Sequence, residues 1–188
     1  MRPPLAYFIT FTTYGTWLHG RESGSVDRQH NLPGTPFVAP DGQLEARRRQ
    51  SLRQAPYLLD HARREVVLNT IDEVCRHRAW ELYAAHVRSN HVHVLLVASV
   101  APEKVMSDLK AWCSRRLREA FGEDANRDRW SQHGSTRYLN DTNSVQAAMV
   151  HILEEQGDQM SVYDSRTHHN HPRAGSVSDG HSYFPQEQ

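Results

Sequence analysis

Between Trp80 and Ala98 the chain holds two β runs, Trp80 to Arg88 and His91 to Ala98, with only Ser89-Asn90 between them. A two-residue connection admits an antiparallel hairpin and little else, so the rest of the fold must be built around that ladder. Upstream, Leu5 to Thr13 alternates, with Tyr7, Ile9 and Phe11 on one side and Ala6, Phe8, Thr10 and Thr12 on the other, and reads as a first strand. Asp60 offers an N-cap to a helix that runs to about His77, marked by Val66, Val67, Thr70, Ile71 and Val74. Pro102 stands at the favoured first position of a second helix, with Val105, Leu109, Trp112, Cys113, Arg116, Leu117 and Phe121 on its face until Gly122 ends it. A short strand is expected around Ser135 to Leu139. Asp141 to Asn143 supplies caps for a last helix, Ser144 to Gln156, closed by Gly157.

The succession strand, helix, strand, strand, helix, strand, helix predicts an α+β fold: a ferredoxin-like antiparallel sheet with helices on one face and the other face open to a ligand. Residues 14–54 interrupt the pattern with Gly15, Gly20, Gly24, Pro33, Gly34, Pro36, Pro40 and Gly42, and read as a long loop insertion. Past Gly157 hydrophobicity collapses, so 158–188 reads as a polar, partly disordered tail and 1–157 as the folded domain. A chain of 188 residues buries a real core without staples. Cys75 and Cys113 are therefore read as buried free thiols, too few for a disulfide framework and without metal-ligand spacing. Mean hydropathy is -0.73, and the apolar opening Leu5 to Thr13 is too short to span a bilayer, so a cytoplasmic protein with no membrane role is expected.

The 22 basic and 22 acidic residues cancel, and no whole-chain field announces a nucleic-acid partner. Only Lys104 and Lys110 of the basic residues are lysines; the arginine excess suits bidentate phosphate recognition and follows equally from a GC-rich genome. Of the 13 histidines, His168, His169 and His171 crowd the tail and read as low complexity rather than a metal site. His91 and His93 are different. Residues two apart on a strand share a face, so their imidazoles stand side by side while Val92 and Val94 point the other way, which makes half a metal site. Alternation in a half-buried strand also produces His-x-His by chance. A histidine-triad nucleotide hydrolase would need a third histidine where Leu95 stands.

The stretch His86-Val87-Arg88-Ser89-Asn90-His91-Val92-His93-Val94-Leu95-Leu96, with Pro102-Glu103-Lys104-Val105 and Asp108-Leu109-Lys110-Ala111-Trp112 after it, resembles the single-tyrosine transposases of the HUH superfamily. The group it is similar to contains the REP-associated tyrosine transposases and the transposases of the smallest insertion sequences. Tyr7 to Leu18, including Gly15-Thr16-Trp17-Leu18, and Gly134 to Leu139 are similar to flanking blocks of the same group, so the resemblance covers about residues 5 to 157. It implies a ferredoxin-like transposase domain that binds single-stranded or hairpin DNA, usually as a homodimer, and holds Mg or Mn with the histidine pair, His91 and His93, plus an amide from the last helix. It further implies cleavage of one strand by a tyrosine on that helix, through a covalent protein–DNA intermediate, followed by strand transfer.

The last helix departs from that pattern. The position expected for the tyrosine falls at or next to His151, and Ser144 to Gln156 contains none. Gln156 falls in line with the stripe Val145, Ala148, Met149, Ile152 and Leu153, so it points at the sheet and is the third metal donor by resemblance; Glu155, beside His151 at i, i+4, is the alternative. Three readings of the missing tyrosine stand side by side: His151 attacks in its place, a tyrosine such as Tyr138 or Tyr163 reaches in, or the chain is a degenerate, non-catalytic DNA-binding relative. Arg88, Lys104, Lys110 and Arg116 are the expected phosphate contacts, with Arg115 and Arg118 beside them, and a solvated helix face is the bland alternative. Trp17, Trp112 and Trp130 could stack unpaired bases or simply fill the core. Arg21, Arg28 and His30 give the long loop a means of wrapping DNA, and a structural cover over the open sheet face is the bland alternative.

Overall fold

The computed structural model describes residues 3–17, 47 and 49–168. Most of the 14–54 loop, with Arg21, Arg28 and His30, lies outside the described residues, as do His169, His171 and the side chain of His168. The elements run β1 (Ala6–Thr13), α1 (His61–His77), β2 (Glu81–Val87), β3 (His91–Val97), α2 (Pro102–Phe121), β4 (Trp130–Leu139), α3 (Thr142–Leu153), β5 (Ser161–Asp164) and α4 (Ser165–His168). Local chemistry sets the ends. Asp60 and Asp141 cap α1 and α3 by accepting from the backbone N–H groups of Arg63 and Ser144, Pro102 opens α2, and Gly122, at φ 61°, closes it in the left-handed region.

The sheet is antiparallel throughout, in the order β4-β1-β3-β2-β5, which is the ferredoxin-like α+β arrangement with one strand added. Register pairs Thr10 with His93 across β1 and β3, and His86 with His93 across β2 and β3. Strand alternation then divides the molecule. Tyr7, Ile9, Phe11, Val92, Val94 and Leu96 face α1 and α2 in the main core, with Val67, Ile71, Leu109 and Leu117 fully buried against them. Phe8, Leu95, Ala84 and Leu139 form a smaller core on the opposite face, closed by Ala148 and Ile152 of α3. The face expected to be open thus carries the last helix, while the two long helices share the other.

Three boundaries differ from expectation. β4 starts at Trp130 rather than near Ser135, because register with β1 extends to Thr13 past an irregularity between Phe11 and Thr13. α3 ends at Leu153, so Gln156 lies in the turn beyond it. The tail expected from residue 158 is not irregular at its start: Ser161–Asp164 pairs with β2 and joins the sheet, since Ser161 is buried and Tyr163 packs on the main core. Cys75 and Cys113 are buried free thiols, with burial pushing Cys75 up to about 12. Among the described residues no helix is long and apolar enough to cross a membrane.

Candidate metal and phosphate site

β3 brings His91 and His93 onto the α3 face with ring centroids 4.7 Å apart. Each has its Nδ1 engaged. His91 Nδ1 lies 2.7 Å from Asn90 Oδ1, which can only accept, so Nδ1 carries the proton and Nε2 keeps a lone pair. His93 Nδ1 lies 2.8 Å from Thr10 Oγ1, and the same tautomer there leaves its Nε2 equally free. Burial drives His93 down to about 3, with the neighbouring His91 and His151 adding to the effect, and burial likewise lowers His91. Both imidazoles are therefore neutral at neutral pH, the state in which they donate lone pairs.

Gln156 completes the arrangement from the turn after α3. Its Nε2 donates to His151 Nε2 at 2.9 Å and to the His151 carbonyl at 3.1 Å, which uses both amide hydrogens and aims Oε1 at the histidine pair. Oε1 stands 3.2 Å from His93 Nε2 and 3.4 Å from His91 Nε2. Ligands about 2.1 Å from a shared cation are about 3.0 Å apart on an octahedral edge and about 3.4 Å on a tetrahedral one. The separations match that range, and three lone pairs facing one another favour a cation among them. The residues thus fit a divalent metal, with an amide oxygen as third donor. Among the described residues no group of three His, Cys, Asp or Glu side chains gathers in this way.

His151 stands at the edge of this cluster, its ring 5.5 Å from His93 and 5.9 Å from Phe8. Its Nδ1 donates to Glu155 Oε2 at 3.0 Å, so the lone pair sits on Nε2, beside the Gln156 amide. Glu155 is thereby turned to His151 rather than to His91, His93 and the Gln156 oxygen. The i, i+4 pairing of His151 with Glu155 is present, whereas Gln156 lies past the helix end and reaches the histidines from the turn rather than by helical phase.

Other expected residues are not brought here. Tyr138 pairs with Tyr7, rings 5.3 Å apart, and Tyr163 pairs with Ala85; both belong to the α1/α2 face, opposite the histidines, because each is one strand position out of phase with them. Lys104, Lys110 and Arg116 ride on α2, across the sheet from the site. Lys104 pairs with Asp108, and Arg116 Nη2 donates to Glu73 at 2.7 Å, tying α2 to α1. Lys110 donates from Nζ to the Ser131 and His133 carbonyls, and burial pushes it down to about 8. A run of basic residues on a helix does not reveal which layer the helix occupies. Arg88 does lie at the site's rim, where its Nη1 donates to the Asp158 carbonyl at 2.9 Å. Trp130 stacks edge-on against Phe11 and Trp112 packs on the main core, whereas Trp17 is exposed.

Sequence reasoning passed over Thr10, Asn90 and His86. Asn90 was visible beside His91, and Thr10 faces the same side as Phe8, but a pairing to His93 needs the register of β1 on β3.

The family model for IS200-like transposases matches residues 52–162, more than half of the chain. Among solved structures the chain is similar to a REP-associated tyrosine transposase bound to a REP hairpin, at 14% identity over 100% of this chain and 98% of that one, with a TM-score of 0.49. It is also similar to a candidate transposase from Deinococcus radiodurans R1, at 13% identity over 78% of this chain and 88% of that one, with a TM-score of 0.43. No curated protein matches it.

Proposed function

The chain belongs to the IS200-like transposase family and is a transposase-like DNA-processing protein, and from that premise we propose that it cleaves and rejoins one strand of single-stranded or hairpin DNA at the His91, His93 and Gln156 cluster. The observation that carries this reading is the convergence of two imidazole Nε2 atoms and one amide oxygen at 3.2 and 3.4 Å. His91, His93 and Gln156 would hold Mg or Mn, which supplies Lewis-acid polarisation of the scissile phosphate. Asn90 and Thr10 orient the imidazoles, and the His151 contacts orient the amide. Arg88, beside the cluster, has further guanidinium donors for a DNA phosphate.

The attacking group in this reading is His151. Once it gives up the Gln156 amide N–H, its Nε2 lone pair forms a bond to phosphorus while the bond from phosphorus to O3′ breaks, and the leaving oxygen takes up a proton from solvent as a free 3′-OH. The 5′ phosphate is then held on His151 as a phosphoramidate. Attack by a second 3′-OH reverses the step, frees His151 and completes strand transfer. Glu155 stabilises the cation that His151 becomes during attack. We place this chemistry in the unit that runs from β1 through β5, in a cytoplasmic homodimer.

The test is incubation of the full-length chain with labelled hairpin DNA and Mn, followed by denaturing electrophoresis. An adduct is expected, lost with His91→Ala and with His151→Ala and kept with Tyr138→Phe. Hairpin binding without any adduct would overturn the covalent reading and favour a non-catalytic DNA-binding relative, a second reading supported by the absence of tyrosine from α3 and by the turning of Tyr138 and Tyr163 to the other face.

A further inference from the structure

Between the end of α3 at Leu153 and the start of β5 at Ser161, no helix or strand holds the backbone that carries Gln156. Its position must come from side chains. His86 of β2 is 1% exposed and shares the α3 face with its cross-strand partner His93. Its Nδ1 lies 2.9 Å from the Ile152 carbonyl and its Nε2 lies 3.3 Å from the Met160 backbone nitrogen. A carbonyl only accepts and a backbone N–H only donates, so a single tautomer, protonated on Nδ1, serves both contacts. The two contacts fall at opposite ends of the 152–160 segment. Arg88, two residues further on, donates to the Asp158 carbonyl at 2.9 Å, and its Nη2 comes to 3.9 Å from where a Cβ on Gly157 would stand. Gly157 itself has φ 72°.

We propose that His86, seconded by Arg88, is a positioning residue for Gln156: the imidazole grips both ends of the turn, and the guanidinium holds its middle, so that the amide oxygen stays at ligand distance from His91 and His93. The inference rests on the reading of Gln156 as a metal donor. Imidazole suits the task because one rigid ring donates from one nitrogen and accepts at another, so it bridges two separated partners, whereas a hydroxyl must serve both from a single oxygen and an apolar side chain serves neither.

Mn(II) binding to the full-length chain, followed by electron paramagnetic resonance, tests it without recourse to activity. His86→Phe keeps a ring and removes both contacts; it is expected to weaken Mn affinity about 10- to 100-fold, the range for partners that orient metal ligands. His86→Asn returns a donor near the Nδ1 position and is expected to recover part of that loss. A purely structural role would lower the unfolding temperature and leave Mn affinity unchanged. Should His86→Phe fail to fold, Arg88→Met decides the matter, with an expected loss of about tenfold. If the folded variants bind Mn like the parent while Gln156→Ala does not, the positioning role is overturned and the donor reading stands. If Gln156→Ala also binds like the parent, the donor reading falls and the positioning role falls with it.

Discussion

Gly134 of β4 sits opposite Phe11 of β1, at a point where the two strands leave no room for a side chain. A Cβ there would stand 2.5 Å from Met106 Sδ, 2.6 Å from the Thr10 carbonyl oxygen and 3.3 Å from the Phe11 Cβ. The thioether can swing aside at little cost. The Thr10 carbonyl cannot, because β1 is paired on both sides. A relaxed carbon–oxygen contact needs about 3.3 Å, so β1 and β4 must part by about 0.7 Å. Overpacking of this kind costs about 2–3 kcal/mol when backbone has to move, offset by about 0.4–1 kcal/mol from the lost freedom of glycine in the unfolded chain. Gly134→Ala is therefore expected to lose about 1–2.5 kcal/mol net, which for a chain of this size lowers Tm by about 2–10 °C. Circular dichroism melts and urea midpoints would be compared for Gly134→Ala, Met106→Ala and the double variant. The penalty should persist in the Met106→Ala background, since the carbonyl is the obstacle. A cost below about 0.5 kcal/mol in both backgrounds, or full relief by Met106→Ala, would refute the reasoning.

Three further outcomes are expected. His151→Tyr places a phenol where the histidine stands, and its DNA adduct should survive acid, whereas an adduct on His151 is an acid-labile phosphoramidate; the comparison is one gel with and without acid treatment. Burial raises the Glu123 carboxyl, but hydrogen bonds from Tyr57, Arg63 and Arg129 outweigh it and the net shift is downward. Its contribution to stability is thus present above about pH 4.3 and disappears as pH falls through the lowered folded value, so the urea-midpoint gap between the parent and Glu123→Gln should close in acid. Lys110 sits at about 8 in the folded chain because burial disfavours its charge, so the unfolded chain binds the extra proton between about pH 8 and 10.5. Stability from that residue should rise with pH across the interval, and Lys110→Met should abolish the rise in a titrated urea midpoint.

The hairpin, the shared face of His91 and His93, the caps at Asp60 and Asp141 and the stop at Gly122 were all readable from local chemistry. Each depends on residues within a few positions of one another. What was not readable depends on which side of the sheet an element takes. Alternation separates Tyr7 from Phe8 within β1, yet it relates neither to His93 until β1 is registered on β3, nor Tyr138 to either until β4 is registered on β1. The polar stretch of β4 and the short β5 carry too little apolar periodicity to announce strands, and they form because neighbours in register offer them hydrogen bonds. Gln156 was reached through helical phase, although what holds it past the helix end is a contact network anchored on a different strand.

Sheet order also has a consequence in time. β1 leaves the ribosome ahead of both strands it pairs with, and Thr10 and its partner His93 are 83 residues apart, while Thr12 and Ser131 are 119 apart. At about 5–20 residues per second, the first pairing waits about 4–17 s, with Phe8, Ile9 and Phe11 unsheltered meanwhile. Gln156 arrives 63 residues after His93. A chain that stops short of Gln156 therefore lacks one corner of the cluster it forms with His91 and His93, whatever part of the sheet has already paired.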